Sequence, residues 1–354
     1  LLEQTIKSLL LDKSAPLGSI QPHLREENIM RAAVAISQNY DNPLTGLVLR
    51  DEPEPISRPG WARVRVVASS LNPHDVWTLR GVGHPAERIP IILGCDAAGY
   101  TDDGRAVVVH PVIADWDRGV GDSTMDPQRA LLSETINGGL AEYVLVPEVN
   151  LIPKPDFFSF EEVASLPVAW GTAYRMLFTR AGLSAGDRVL VQGATGGVAS
   201  AAIALARAAG ATVYATVRDE SNFAFALESG AHEVFLSGGR LPQRVDIVVD
   251  SVGEATWSHS LKSLRPGGTV VTCGATSGPN ANADLNRVFY QQLSIIGSTG
   301  CTLPELIALM RLMESASLRP PISQIVTLDN VREGFEALIS GAHRGKIAVS
   351  VSPA

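Results

Sequence analysis

The feature that most constrains this chain is a glycine-rich turn between a strand-like run and a helix-like run. It reads Val189-Leu190-Val191-Gln192-Gly193-Ala194-Thr195-Gly196-Gly197-Val198-Ala199. Arg188–Val191 has the texture of a buried strand, and the Ala-rich stretch Val198–Ala209 has that of a helix. A strand that turns directly into a helix aims several backbone N–H groups and the positive end of the helix dipole at one spot. That spot suits a pyrophosphate. The spacing departs from GxGxxG, because Ala194-Thr195 replaces one glycine step and Ala199 takes the last. As a bare pattern the turn also fits a packing role; its place at the head of a strand–helix–strand unit marks it as a nucleotide site. Gly193, Thr195, Gly196, Gly197 and Val198 are expected to line a dinucleotide.

The residues downstream continue the alternation. Thr212–Val217 reads as a second strand and Ser221–Ser229 as a helix. Asp246–Val249, a helix near Trp257–Leu264, Thr269–Cys273 and Leu293–Ile296 follow. This succession predicts an α/β fold with a doubly wound parallel sheet. Ligands of such sheets gather at the carboxyl ends of the strands, which adds Ser251, Val252, Gly274 and Ala275 to the expected cofactor site. The second strand ends at Arg218. A planar cation there suits a 2′-phosphate, so NADPH is favoured over NADH. Asp219 and Glu220 come next, and either is an alternative acceptor for a ribose hydroxyl.

At 354 residues and roughly 150 residues per domain, two domains are expected. From Met30 to about Pro155 the texture is β: Ala62, Val64 and Val66 alternate with Arg63 and Arg65. Short apolar runs follow at Ile89–Leu93, Ala106–Val109 and Tyr143–Val146, with no long helical pattern between them. The tail predicts a helix at Pro304–Ser315, a strand at Ser323–Val326, a helix at Val331–Ile339 and a strand at Ile347–Val351. Residues 1–29 read as an extension, either a non-native remnant or a helix that docks elsewhere; they lack the apolar core of a secretory signal.

Charge narrows the partners. With 29 Lys and Arg against 37 Asp and Glu, the net charge is −8, which argues against nucleic-acid and anionic membrane partners. The three cysteines, Cys95, Cys273 and Cys301, form no CxxC pair and no disulfide framework. No stretch reaches the ~18 apolar residues of a membrane span, so a cytoplasmic protein with a small-molecule substrate is expected.

Several motifs together resemble the medium-chain dehydrogenase/reductase superfamily: Leu71-Asn72-Pro73-His74-Asp75, Gly139-Leu140-Ala141-Glu142-Tyr143, the run Gly186–Val198, and Gly345-Lys346-Ile347. The resemblance covers about Met30 to the C-terminus. It implies a GroES-like, mostly β catalytic domain at 30–157, a Rossmann domain at 158–297 and a return at 298–354 that completes the catalytic domain. The branch it points to is that of zinc-independent quinone oxidoreductases and enoyl or alkenal reductases. It further implies Thr172 beside the nicotinamide, Phe289 (with Tyr290) and Lys346 at the cofactor, and a homodimer joined edge to edge near Leu293–Ile296.

The family's catalytic zinc positions correspond to Asn72, Cys95 and Val168. Valine cannot ligate and an amide is a poor zinc ligand, so no metal is expected; Cys95 reads as a small buried residue. The four cysteines of the family's structural zinc lobe should lie between His110 and Leu140, where none occurs. Without a metal, reduction of an activated C=C or a quinone is easier than alcohol oxidation. His74 takes the position of the family's proton-relay hydroxyl and is either the proton donor or a structural partner of Asp75. Asn72 either orients the nicotinamide or substrate carbonyl or serves as the turn residue before Pro73. His84, where some enoyl reductases carry a proton-donating tyrosine, is a substitute donor or a loop histidine. Trp116 and Trp170 are further residues for an apolar pocket. The expected function is NADPH-dependent reduction of an enone, enal, enoyl group or quinone. The alternatives are an alcohol or carbonyl oxidoreductase and a non-enzymatic NADPH-binding protein.

Overall fold

The computed structural model describes residues 28–353. Its largest parallel sheet has six strands in the order Glu233–Leu236, Thr212–Val217, Arg188–Val191, Val245–Asp250, Leu264–Thr272, Ser294–Gly297. All five pairings are parallel. Val189, Leu190 and Val191 are fully buried, as expected of a strand covered on both faces. The strand order reverses direction at Arg188–Val191, so the glycine turn that follows this strand sits at the switch point where such sheets bind ligands. Glu233–Leu236 has no counterpart in the sequence reading. It is a short, partly exposed edge strand, without the apolar run that marks a central one.

A second sheet of seven strands surrounds Trp61–Ser70, which pairs with Ala98–Thr101, Tyr143–Pro147 and the last strand, Lys346–Ser350. The Val64/Val66 alternation buries one side of this central strand. Lys346–Ser350 runs antiparallel to it, Ala348 opposite Ser70, so the C-terminal segment is built into the catalytic sheet. The chain rejoins this sheet at Ile322–Thr327. The preceding helix, Leu303–Ser315, instead buries Leu306, Leu309, Met310 and Met313 in the core that contains Val189 and Val191.

A short helix corrects the β reading of the first domain, and a longer helical region, to which the sequence reading gave no bounds, follows that domain. Pro73–Arg80 is a helix with Asn72 as its cap, Pro at its start, and Gly81 (φ +74°) ending it in the left-handed region. Asp75 Oδ2 accepts the Asn72 N–H at 2.9 Å, which satisfies a donor at the helix start. Eight residues are too few to show a clear apolar period, so only these end signals betray it. Residues 160–180 are helical almost throughout, with two stretches wound wider as π-helix. Val163, Trp170 and Met176 there share one core with Val67 and Ala98 of the seven-stranded sheet and Val189 of the parallel sheet.

Of the expected N-terminal extension, Ile29 already belongs to a strand, Ile29–Ala35, paired with Leu47–Pro53; residues 1–27 lie outside the described residues. No helix among the described residues is long and apolar enough to cross a membrane.

Candidate functional site

The glycine turn is shaped by its neighbours. Gly193 has φ +68°, and a Cβ there would lie 2.8 Å from Val252 Cγ2, so a side chain at 193 is excluded twice over. Gly196 caps the helix Gly197–Ala208. A Cβ on Gly197 would lie 3.0 Å from Lys346 Cδ. Glycine at these positions keeps side chains off the turn at a helix start; the N–H groups of Gly193, Ala194 and Gly196 find acceptors in Thr216 and Gly193, which leaves those of Thr195 and Gly197 for a pyrophosphate. The backbone N–H of Gly345 donates to Thr195 O at 2.9 Å, so the turn ahead of the last strand lies directly against the glycine turn.

The remaining expected cofactor residues gather with unequal success. Asp250 Oδ1 accepts the N–H groups of Val252 and Gly253 at 2.8 and 3.0 Å, which shapes the Ser251–Val252 turn. Gly274 and Ala275 follow the strand Leu264–Thr272, and the adjoining Ser277 N–H donates to Val252 O at 2.8 Å, tying the two turns together. Thr172 is buried on the linking helix. Arg218 is exposed at the end of Thr212–Val217, while the Asp219 carboxylate turns to accept the Ser221 N–H at 2.8 Å. Gly193, Thr195 and Arg218 line one cleft of about 180 Å³ with Asn222, His343 and Arg344. Phe289 stands apart from this group. It is 68% exposed on the helix Leu285–Tyr290, ahead of the edge strand Ser294–Gly297.

Across the cleft, the start of the helix Pro73–Arg80 carries a buried polar cluster. Asp96 Oδ2 accepts from Ser70 Oγ at 2.6 Å and Asn72 Nδ2 at 2.7 Å, while Oδ1 accepts the Val168 N–H at 3.0 Å. Lys346 Nζ donates to Asn72 Oδ1 at 2.6 Å and Leu71 O at 2.9 Å, 3.5 Å from Asp96. Burial pulls the Lys346 ammonium below its usual range, with Asp96 and Asp75 opposing. Both ends of the Asn72 amide are committed inside this cluster, so its geometry is that of a positioning residue.

The His74 side chain is mostly buried, 22% exposed, and stands between two partners. Its Nδ1 lies 3.2 Å from Cys95 Sγ and its Nε2 4.0 Å from Glu134 Oε1. Burial disfavours its charged form, but Cys95, Glu134 and Asp75 outweigh this and hold the imidazole well above its ordinary value. Burial pushes the Cys95 thiol up and His74 offsets this only in part, so Cys95 is a neutral thiol at neutral pH and donates to Leu132 O at 3.3 Å. The pull on His74 that persists there comes from Glu134 and Asp75. The His74 ion pair in turn holds the Glu134 carboxyl below the usual range.

His84 is buried with both ring nitrogens unpartnered, and burial, then Arg88, lowers its pKa. The tryptophans do not frame a pocket: Trp170 is fully enclosed in the core and Trp116 is half exposed.

The donor set does not fit zinc. Among the described residues, His74, Asp75 and Cys95 are the group whose ligand atoms come within 4.8 Å of one another. Both Asp75 oxygens already accept backbone N–H groups, those of Asn72 and Gly94, each at 2.9 Å. Val168 has an aliphatic side chain, and the Asn72 amide is held by Lys346 and Asp96. Of this group only His74 and Cys95 are not already bound to backbone N–H groups, where a catalytic site supplies three protein ligands.

Sequence reasoning missed Glu134 and Arg344. Glu134 lies in a loop with no motif, and only folding brings it to His74; Arg344 sits beside the Gly345-Lys346 pair but looks like any surface arginine.

Residues 58–156 match the model of an alcohol dehydrogenase GroES-like domain, and 197–315 that of a zinc-binding dehydrogenase. The chain is 30% identical to a crotonyl-CoA reductase of Streptomyces avermitilis, over 89% of this chain and 84% of that protein. It is 28% identical to a quinone oxidoreductase of Mus musculus, over 81% and 88%. Among solved structures, an NAD-dependent alcohol dehydrogenase superposes with TM-score 0.84 at 33% identity, covering 91% of this chain and all of that one. A 2-octenoyl-CoA carboxylase reductase, CinF, in complex with NADP and 2-octenoyl-CoA superposes with TM-score 0.82 at 27% identity, covering 91% and 88%.

Proposed function

Since the chain belongs to the medium-chain dehydrogenase/reductase superfamily, in its quinone oxidoreductase and enoyl reductase branch, we propose that it is an NADPH-dependent reductase of carbon–carbon double bonds conjugated to a carbonyl, working without a metal. The observation that carries the reading is His74, reachable from solvent and held between Cys95 and Glu134 beside a donor set too poor for zinc. The relatives named for crotonyl-CoA and quinone reduction, and the CinF complex with NADP, support the substrate class and the cofactor. The exposed Arg218 supports NADPH from within the chain itself.

When bound, the dinucleotide supplies a hydride. Addition at the β-carbon of the substrate moves negative charge onto the carbonyl oxygen. His74, whose protonated form Glu134 and Asp75 favour, then delivers the proton that completes the saturated product. Lys346 and Asp96 fix Asn72 and the first turn of the helix that carries His74, so the imidazole meets the substrate in one orientation. The turn Gly193–Gly197 takes the pyrophosphate on the backbone N–H groups that its own hydrogen bonds leave free, those of Thr195 and Gly197.

A second reading, alcohol or carbonyl oxidoreduction, is favoured by the likeness to an NAD-dependent alcohol dehydrogenase. The two are separated by assaying NADPH oxidation on a panel of enoyl thioesters, enones and quinones, alongside NADP-linked alcohol oxidation. Turnover of the unsaturated panel supports the first reading, and alcohol oxidation alone overturns it.

A further inference from the structure

We propose that Arg344, acting with Arg218, forms a clamp for the 2′-phosphate of the dinucleotide, so that preference for the phosphorylated cofactor is set by both domains at once. The inference rests on the NADPH reading above and adds a residue from the opposite domain. Arg218 comes from the parallel sheet. Arg344 comes from the turn that leads into Lys346–Ser350, a strand of the catalytic sheet. Both line the cleft beside Gly193 and Thr195.

Two hydrogen bonds hold this turn in place. It begins where the helix Val331–Ser340 ends, at Gly341 in the left-handed region (φ +68°), close enough to Arg218 that a Cβ there would lie 3.4 Å from Nη2. The Gly345 N–H donates to Thr195 O at 2.9 Å. Arg344 Nε donates to Asn222 Oδ1 at 2.8 Å, which reaches across to the segment following Thr212–Val217. That bond uses one edge of the guanidinium and leaves its terminal nitrogens for a ligand.

Charge completes the argument. Many arginines of the described residues pair with a carboxylate, among them Arg175 with Glu305 and Arg265 with Asp246. Neither Arg218 nor Arg344 makes an ion pair with a carboxylate among the described residues, although Asp219 is next in sequence to Arg218. Two guanidinium groups lining one cleft repel each other until a dianion lies between them. A phosphate monoester carries about −1.5 to −2 charges at neutral pH and accepts the forked donors that arginine presents. A dinucleotide lacking that phosphate gains nothing from the pair, so the device favours the phosphorylated cofactor and leaves the affinity for the other nearly untouched.

Calorimetric titration with NADPH, NADH, 2′,5′-ADP and 5′-AMP tests the clamp on R344Q, R344K, R218Q and the double variant. R344Q is expected to weaken NADPH and 2′,5′-ADP by about tenfold or more while NADH changes by no more than about twofold. R344K should regain part of the loss, because it restores the charge without the fork. The loss in the double variant should fall short of the product of the two single losses, since both residues grip one phosphate. An R344Q protein that binds NADPH as before overturns the clamp, as does one that loses NADPH and NADH by the same factor. Equal affinity of the unaltered protein for both dinucleotides is a different result. It overturns the cofactor reading itself, and the clamp with it. Melting of the unliganded variants confirms that they fold; should R344Q not fold, R344K carries the same comparison.

Discussion

Lys346 Nζ lies 2.6 Å from Asn72 Oδ1, joining the last strand of the chain to the first turn of the helix that carries His74. The ammonium also stands 3.5 Å from Asp96, and all three side chains are buried. Replacing Lys346 by Met leaves the Asp96 carboxylate enclosed without a counter-charge, a change that costs about 3–5 kcal/mol in comparable buried pairs. Urea unfolding of Lys346→Met should show a loss of that size, and a loss below about 1 kcal/mol contradicts the role assigned to the pair.

Proton delivery by His74 has a kinetic signature. His74→Phe should lower kcat by about 10²–10⁴-fold, the usual contribution of a general acid. NADPH affinity should hardly change, because the phosphate cradle is in the other domain. With His74 held above its ordinary value, the fall in rate at high pH should begin above the ~6.5 of a free imidazole. Glu134→Gln removes one of the groups that raise it and should move this limb to lower pH. The stability contributed by protonated His74 follows the same sign: fully present below the unfolded pKa and lost as pH rises through the folded one. A His74→Phe protein with lower Tm and unaltered kcat would assign the residue to structure alone.

No stoichiometric zinc is expected in the purified protein, and chelators should leave activity intact. The loop that corresponds to the family's structural zinc lobe is held by other means. Asp126 accepts the Asp115 and Gln128 N–H groups at 2.7 and 2.8 Å and binds Arg118 Nη2 at 2.8 Å. The Arg118 guanidinium keeps the Asp126 carboxyl well below the usual range. Elemental analysis near one zinc per chain, with activity lost to a chelator, would overturn this expectation.

A homodimer is expected through the edge of the parallel sheet. Ser294–Gly297 is paired on one side only among the described residues, and Ile295, Phe289 and Tyr290 beside it are exposed. An unpaired apolar edge invites a second copy. Light scattering should give a dimer for the unaltered protein and a monomer for Ile295→Lys; a monomeric parent at micromolar concentration refutes it.

The parallel sheet was legible because buried strands and turn glycines leave local marks. Arg188–Val191 and Thr212–Val217 fall on the residues their apolar runs mark. The helix Pro73–Arg80 escaped because its eight residues hide their period. The turn proposed to cradle the phosphates could be read because its residues are contiguous. The reacting side could be read only in part: His74 stands in a motif, whereas Glu134 is 60 positions away and reaches it through folding alone. The roles of Asp96 and Lys346 follow from mutual burial, which no local pattern encodes.

The central claim is hydride transfer to the β-carbon of a conjugated double bond, and isotope tracing tests it most directly. The protein is incubated with NADPH deuterated on the transferred face of C4 and an α,β-unsaturated thioester, and the product is examined by NMR. Deuterium on the β-carbon of a saturated thioester is the predicted result, with the α-carbon taking its proton from solvent. Deuterium on a carbonyl-derived carbinol carbon, from an aldehyde or ketone offered in the same mixture, with the double bond intact, would contradict it.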